Sequence, residues 1–128
     1  MIIYTDGACS GNPGPMGAGI AIYDGEKLLK KISKPLGKGT NNIAEYTAVK
    51  IALEEAKAMG AKGVEIRTDS HLIVQQLRGE FRIKVPHLRK IKVEIDALAK
   101  DMDVRYVWVE REQNLLADAL SKEAAGSK

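Results

Sequence analysis

The chain has 128 residues, of which 45% are hydrophobic and 29% are charged. This length fits one domain that buries a core without disulfides, and no apolar run approaches the roughly 20 residues that a membrane helix requires. A single cysteine, Cys9, excludes an intramolecular disulfide and, with two isolated histidines, builds no recognised zinc site, so any metal would have oxygen ligands. The start of the chain lacks the pattern of a signal peptide, and we expect a cytoplasmic protein.

The formal net charge of +3 is a weak indication of a polyanionic partner. Five basic residues and no acid lie between Arg82 and Lys92. A second basic segment contains Lys27, Lys30, Lys31, Lys34 and Lys38. Each run is either a solvated surface or a surface that binds a polyanion, and its composition favours neither.

The first part of the chain predicts an antiparallel meander. Short β-rich runs predict strands over 2–5, 17–23 and 28–32, and Asp24-Gly25 is typical of the tight turn between the last two.

Helices and strands alternate through the rest of the chain. Apolar periodicity, caps and glycine stops predict the helices, and β-rich runs predict the strands. In chain order these are a helix over 42–59, a strand over 64–68, a helix from Asp69-Ser70 to Leu77, a helix from Pro86 with an apolar stripe to Met102, a strand over 104–109 and a helix over 114–125. Residues 126–128 are predicted to be a frayed tail.

Three consecutive strands followed by this alternation predict an α/β fold, with a mixed sheet and helices on both faces. Ligands bind at the carboxyl ends of the strands in such sheets. Asp6 ends the predicted first strand and Asp69 ends the fourth. If those strands are parallel neighbours, both carboxylates emerge at the same rim.

Each of these acidic residues also has a purely structural explanation. Asp6 could open an Asp-Gly turn, and Asp69 could cap the helix that follows it. Asp118 lies on the opposite side of the last helix from Leu116 and Leu120, so periodicity leaves it on the surface.

Glu45 is less easily explained. Asn42 and Glu45 fit a capping box, in which the glutamate reaches back to the cap amide. However, Glu45 shares a helix face with the apolar residues Val49 and Ala52, and a buried carboxylate needs a cation or a proton. A rim that gathers Asp6, Asp69 and Glu45 has the hard oxygen ligands that Mg²⁺ prefers and is the setting for two-metal phosphodiester cleavage.

Four segments resemble the motifs of type 1 ribonuclease H, a family that cuts the RNA strand of RNA/DNA hybrids. They are "YTDGACSGNPGPMGAG" from Tyr4, "GTNNIAEYTAVKIAL" from Gly39, "RTDS" from Arg67 and "ADALS" from Ala117. The resemblance implies a ribonuclease H-like fold: a five-stranded mixed sheet, flanked by helices, with strands one to three antiparallel and the later strands parallel. It also implies a ribonuclease H domain over 1–125 and a short tail over 126–128.

The resemblance further implies a catalytic set of four carboxylates: Asp6, Glu45, Asp69 and Asp118. In the family these residues hold two Mg²⁺ ions, or Mn²⁺ in their place, with Asp6 as the expected shared ligand. Cleavage leaves a 5′-phosphate and a 3′-hydroxyl.

Substrate contacts follow from the same resemblance, which implies an RNA/DNA hybrid as partner and a protein that we expect to be a monomer. Contacts to RNA 2′-hydroxyls are expected from Ser10, Gly11, Asn12, Asn42, Glu45 and His71, the last at a position where many relatives carry glutamine. A phosphate of the DNA strand is expected to bind Lys38, Thr40 and Asn41.

Two departures from the family pattern stand out. The chain lacks the extra helix and Trp-rich basic protrusion of many bacterial relatives, so we expect a weaker and more salt-sensitive grip on substrate. The loop before the last helix, "VEREQNLLAD", lacks the histidine of many relatives. Glu110, Arg111 and Glu112 are the available substitutes, of which Arg111 or Glu112 is favoured.

Three further residues receive structural expectations. Asn114 is expected to cap the last helix, Trp108 to lie in the core because it alternates with Tyr106 and Val104, and Cys9 to pack or donate to the backbone.

Two other functions stay open: the same chemistry with additional cleavage of double-stranded RNA, and a non-catalytic module that binds hybrids.

Overall fold

The computed structural model describes residues 1–126, so Ser127 and Lys128 of the predicted tail lie outside the described residues. Its five strands form one sheet in the order β3-β2-β1-β4-β5. The strands are β1 (Ile2–Cys9), β2 (Gly14–Asp24), β3 (Lys27–Gly39), β4 (Gly63–Thr68) and β5 (Asp103–Trp108). The helices are α1 (Asn41–Ala58), α2 (His71–Leu77), α3 (Pro86–Ala99) and α4 (Leu115–Ala124), with a 3-10 helix over Arg111–Gln113.

The strand pairing confirms the predicted mixed sheet. β1, β2 and β3 pair antiparallel, whereas β4 pairs parallel with β1 and with β5. β3 therefore lies at one free edge of the sheet and β5 at the other.

The prediction that the first strand ends at Asp6 is wrong. Parallel pairing with β4 stops at Tyr4, but β1 continues beside its antiparallel partner β2 as far as Cys9. Asp6 lies opposite Gly19 within this ladder, so Asp6-Gly7 is not a turn. Asp6 nevertheless lies just past the point where β4 separates from β1, and Asp69 follows the end of β4.

Two glycines let helices approach both faces of β1 and β2. A Cβ atom at Gly7 would clash with the α1 backbone at Ala44 and Glu45, and one at Gly19 would clash with the α4 backbone at Ala117. Because successive residues of a strand point to opposite faces, α1 and α4 lie on opposite sides of the sheet beside Asp6.

The apolar core lies on the α1 side of the sheet. Its side chains come from β1, β2 and β4 and from α1, α2 and α3, and include Ile3, Ile20, Ile22, Ile66, Val49, Leu53, Ile73 and Ile95. Tyr46 is fully buried among them, and its hydroxyl group is hydrogen-bonded to Gln76 in α2. This contact fixes α2 against α1.

The helix caps differ from two of the predicted alternatives. α1 is capped by Thr40, whose hydroxyl oxygen accepts from the Ile43 amide at 3.3 Å, so the capping box of Asn42 and Glu45 is wrong. α2 is capped by Ser70 and not by Asp69. The carboxylates of Glu45 and Asp69 are therefore not used as caps.

The expected core position of Trp108 is also wrong. Alternation places it on the same face as Val104 and Tyr106, which are partly buried against the core. Trp108 is the last residue of β5, and 38% of its surface is exposed. Its ring instead stacks on His71, the first residue of α2.

Within residues 1–126, none of the helices combines the length and the apolar character needed to cross a membrane.

Candidate active site

Four carboxylates meet in one open cleft of about 450 Å³ at the carboxyl ends of β1 and β4. Each comes from a different part of the fold: Asp6 from β1, Glu45 from the first turns of α1, Asp69 from the position after β4 and Asp118 from α4. The structure thus brings together all four of the residues that the family resemblance carries over.

The position of Asp118 follows from how α4 packs. Its buried residues are the small Ala117 and Ser121, while Leu116 and Leu120 are only partly buried. At Gly19 the backbone of Ala117 and Ser121 lies against β2, and Leu120 comes near only through its Cβ atom, so the apolar stripe does not identify the face that packs on the sheet. Asp118 therefore lies in the cleft beside Asp6 and not on an exposed face.

One backbone amide holds two of the carboxylates. The Gly7 N–H donates to Oε1 of Glu45 at 2.8 Å and to Oδ1 of Asp6 at 3.0 Å. Glu45 faces the sheet because its partner is this amide, at the glycine where α1 lies closest to β1. The same contact explains why a carboxylate occupies an otherwise apolar helix face.

The carboxylates differ in how readily they lose a proton. Burial, aided by neighbouring Glu45, raises the pKa of Asp6 to about 10, and only 8% of this residue is exposed. Burial also raises the pKa of Glu45. For Asp118, burial opposes ionisation, but hydrogen bonding with Asp6 and the Lys122 ammonium group at 3.0 Å lower its pKa. At neutral pH the pair of Asp6 and Glu45 therefore needs a proton or a cation.

The donor chemistry of the cleft fits a divalent cation. All four groups are carboxylates, and two of them are hard to ionise without a positive charge. In the part of the chain that the structure describes, no three carboxylate, imidazole or thiol groups stand in an arrangement that could hold a metal ion as they are.

Asn114 ties Asp69 to the neighbouring strand. Its Nδ2 donates to the Thr5 carbonyl oxygen at 2.9 Å and to Oδ1 of Asp69 at 3.3 Å, and only 1% of the residue is exposed. Asn114 occupies the cap position of α4, as predicted, but its side chain makes no capping hydrogen bond. In the sequence Asn114 looks like an ordinary cap, so nothing there predicts its hydrogen bonds to Thr5 and Asp69.

Arg111 and Glu112 are neighbours in the 3-10 helix but differ in their position relative to the cleft. Arg111 lines the cleft with the four carboxylates, and its charge contributes to the lowered pKa of Asp118. Glu112 does not line the cleft. Glu110 and Gln113 pair reciprocally at the two ends of this short helix.

The expected substrate contacts lie in the cleft and around it. Asn41 and Asn42 line the cleft, and the Asn41 amide donates to Oδ1 of Asn12 at 3.2 Å. Cys9 Sγ donates to the carbonyl oxygens of Gly39 at 3.2 Å and Gly14 at 3.4 Å. This contact joins the end of β1 to the start of β2 and the end of β3. Ser10 and Gly11 lie in the β1–β2 loop, Lys38 and Thr40 at the end of β3 and before α1, and His71 at the start of α2, all outside the cleft lining.

Metal-free protein should lose stability as pH rises. The folded state raises the pKa of Asp6 above its unfolded value near 4, so rising pH removes a proton from the unfolded chain first and lowers the free energy of unfolding up to the folded pKa. Between pH 5 and pH 9 in EDTA, we expect the melting temperature of the wild type to fall at least about 4 °C further than that of Asp6→Asn.

Asp101→Asn is the matched control, because Asp101 is exposed and lies away from the cleft. It should follow the wild-type curve. Parallel pH curves for Asp6→Asn and the wild type would contradict the raised pKa of Asp6.

Comparison with known proteins places this sheet and cleft in a recognised class. The model of a family described as reverse transcriptase-like matches residues 4–124. The chain is 36% identical over 127 residues to the bifunctional protein Rv2228c of Mycobacterium tuberculosis, a match that covers 97% of this chain and 35% of that protein. The chain thus spans about a third of the length of such curated relatives.

Solved structures agree over nearly the whole chain. The crystal structure of RNase H1 from Halobacterium salinarum superposes with a TM-score of 0.94 at 36% identity, covering 99% of this chain and 98% of that one. LC11-RNase H1, solved in complex with an RNA/DNA hybrid, gives a TM-score of 0.92 at 39% identity, covering 98% and 96%. The chain belongs to the ribonuclease H family, in its type 1 branch.

Proposed function

We propose that this chain is an endonuclease that cuts the RNA strand of RNA/DNA hybrids with two divalent cations, Mg²⁺ or Mn²⁺, and leaves a 5′-phosphate and a 3′-hydroxyl. The observation that carries the proposal is the convergence of Asp6, Glu45, Asp69 and Asp118 in one cleft. The hybrid bound to LC11-RNase H1 supports the substrate class.

The chain's own residues supply position and charge. Asp6 lies within hydrogen-bonding reach of both Glu45 and Asp118, which suits it to be the ligand shared between two cations. Asn114 fixes one oxygen of Asp69 and leaves the other free for the cleft. When bound, the cations supply activation of a water and stabilisation of the departing 3′-oxygen.

Recognition of RNA requires contacts to 2′-hydroxyl groups. We assign these to residues that surround the cleft on three elements, namely Ser10, Gly11 and Asn12 in the β1–β2 loop, Asn42 and Glu45 in α1, and His71 in α2. The hydrogen bond between Asn12 and Asn41 holds the loop against the helix start, so these two groups of contacts are fixed relative to each other.

Lys38, Thr40 and Asn41 are the proposed site for a phosphate of the DNA strand. They are consecutive or nearly so at the junction of β3 and α1, beside the cleft. The Thr40 hydroxyl accepts from the Ile43 amide and keeps its own proton for a phosphate oxygen.

Arg111 is the proposed substitute for the family histidine, and Glu112 is not. A guanidinium among carboxylates can hold the scissile phosphate with two parallel hydrogen bonds. We expect Arg111→Ala to lower hybrid cleavage about tenfold or more and Glu112→Ala to stay within about threefold of wild type. Steady-state cleavage assays at saturating Mg²⁺ measure both.

Arg111→Lys separates charge from geometry, since lysine keeps the charge and loses the planar fork. It should recover only part of the activity. Equal losses in Arg111→Ala and Glu112→Ala would mean that the loop, and not the guanidinium, supports cleavage.

A gel with end-labelled substrates of one sequence tests the proposed activity. RNA/DNA hybrid, double-stranded RNA and double-stranded DNA are each incubated with Mg²⁺, Mn²⁺ or EDTA. Cleavage of the hybrid's RNA strand that requires a metal and leaves 5′-phosphate ends is the expected result. No metal-dependent cleavage of the hybrid would overturn the proposal.

The same gel decides the alternatives. Additional cleavage of double-stranded RNA would broaden the substrate, whereas hybrid binding in EDTA without cleavage in either metal would indicate a non-catalytic binding module.

We also propose that the protein acts as a monomer, because one chain contributes all four carboxylates. Light scattering under the conditions of the cleavage assay measures the molar mass and so the oligomeric state.

A further inference from the structure

An aromatic pair lies at the rim just outside the carboxylate cleft. The rings of His71 and Trp108 are stacked, with centroids 4.1 Å apart and planes inclined by 16°. Both residues are exposed, Trp108 by 38%. An exposed tryptophan at a strand end contributes little to the core, so its position calls for another explanation.

The same indole also holds the backbone of a catalytic-site residue. Trp108 Nε1 donates to the carbonyl oxygen of Asp69 at 3.2 Å. Trp108 lies opposite Thr68 in the parallel ladder between β5 and β4, which brings the indole beside the segment that follows β4. One side chain therefore contacts both Asp69 and His71, the two ends of a three-residue segment.

Stacking restricts a side chain that would otherwise be mobile. His71 is the first residue of α2 and its backbone is fixed by the Ser70 cap, but an exposed imidazole at this position has several accessible rotamers. Aromatic stacking favours one rotamer by roughly 2- to 12-fold. The imidazole is thereby presented in one plane beside Asp69.

We propose that Trp108 is a positioning residue that sets discrimination between RNA and DNA by holding His71 toward a ribose 2′-hydroxyl. This inference rests on the proposed function, because it needs an RNA strand across this rim. A neutral imidazole has one donor and one acceptor, and a 2′-hydroxyl can match either. Duplex DNA lacks that hydroxyl and gains nothing from an ordered imidazole.

Binding in EDTA tests this without cleavage. Fluorescence anisotropy gives Kd for a labelled RNA/DNA hybrid and for a DNA duplex of the same sequence, with wild type, Trp108→Leu, Trp108→Phe and His71→Ala. We expect Trp108→Leu to weaken hybrid binding about 3- to 10-fold and duplex binding by less than about twofold. Trp108→Phe keeps a ring for stacking and should retain most of the preference.

A double variant and a neighbouring control separate positioning from a general structural role. The double variant with Trp108→Leu and His71→Ala should lose no more preference for hybrid over DNA duplex than His71→Ala alone. This is expected because both changes disrupt the same stacked pair. Leu72→Ala alters an exposed apolar side chain next to His71 and should leave both Kd values unchanged. Melting curves identify any variant that fails to fold, in which case Trp108→Phe and His71→Ala still decide the outcome.

Trp108 is the protein's single tryptophan, so its fluorescence reports on the pair directly. Saturating hybrid should protect Trp108 from acrylamide quenching more than duplex DNA does, and His71→Ala should alter the emission of the free protein.

Three results would overturn the inference: an unchanged hybrid preference in Trp108→Leu, additive losses in the double variant, or no preference in the wild type. A wild type that prefers the hybrid but cuts nothing in Mg²⁺ or Mn²⁺ contradicts the proposed function alone. The two claims therefore fail separately.

Discussion

Asp69→Asn should abolish metal-dependent cleavage and leave the fold intact. The substitution removes one negative charge from the cleft, and loss of a cation ligand worth several kcal/mol lowers the rate by more than about a thousandfold. The fold should survive because an amide oxygen can still accept from Asn114 Nδ2, as Oδ1 of Asp69 does at 3.3 Å. Cleavage of labelled hybrid and the melting temperature measure the two effects.

The control for Asp69→Asn is again Asp101→Asn, which makes the same chemical change at an exposed site. It should retain wild-type cleavage. Full activity in Asp69→Asn would remove this carboxylate from the catalytic set, and a large drop in its melting temperature would show that activity was lost through the fold.

Glu45→Gln should separate catalysis from structure at the second critical position. Glutamine keeps an oxygen that can accept from the Gly7 amide, which Glu45 Oε1 now does at 2.8 Å. It removes a carboxyl group whose pKa is raised by burial, so the free energy of unfolding should stay the same or increase at neutral pH. Cleavage should fall at least about a hundredfold, because the amide carries no charge for a cation.

Glu54→Gln provides the comparison for Glu45→Gln, because Glu54 lies on the exposed side of the same helix. It should change neither cleavage nor the melting temperature. If Glu45→Gln destabilised the protein by an amount that accounted for its lost activity, a structural role for Glu45 would be the better explanation. Thr40 already fills the capping role, so that result is not expected.

The sequence predicts the sheet well because its signals are local. β-rich runs, the Asp24-Gly25 turn and the glycine after α1 mark the elements, and their order predicts the mixed sheet that the strand pairing confirms. The comparisons confirm the family assignment as well. It could be made from the sequence because several residues of each motif match together.

The predictions that fail concern contacts between elements that are distant in the chain. Glu45 looks like a capping residue until its partner at Gly7 is known, 38 positions away. Trp108 follows the alternation of β5, but whether a helix covers the end of that strand is decided by tertiary packing. Neither contact has a local signature.

Asp118 shows a different limit. Leucines suggest one face of α4, but the close approach at Gly17 and Gly19 selects the face with small residues. Periodicity detects hydrophobicity and does not detect how near two backbones come. The family resemblance groups Asp118 with the other three carboxylates, and the structure has it in the same cleft, whereas the pattern of the helix leaves it on the surface.

The lysines of β3 acquire another meaning from the position of that strand. β3 lies at the edge of the sheet, where backbone N–H and C=O groups have no strand beside them and could pair with a second molecule. All five lysines of this segment, Lys27, Lys30, Lys31, Lys34 and Lys38, are exposed along that edge. Repulsion between two such edges opposes intermolecular β-pairing. Whether or not these lysines bind a polyanion, their place on the edge strand disfavours aggregation.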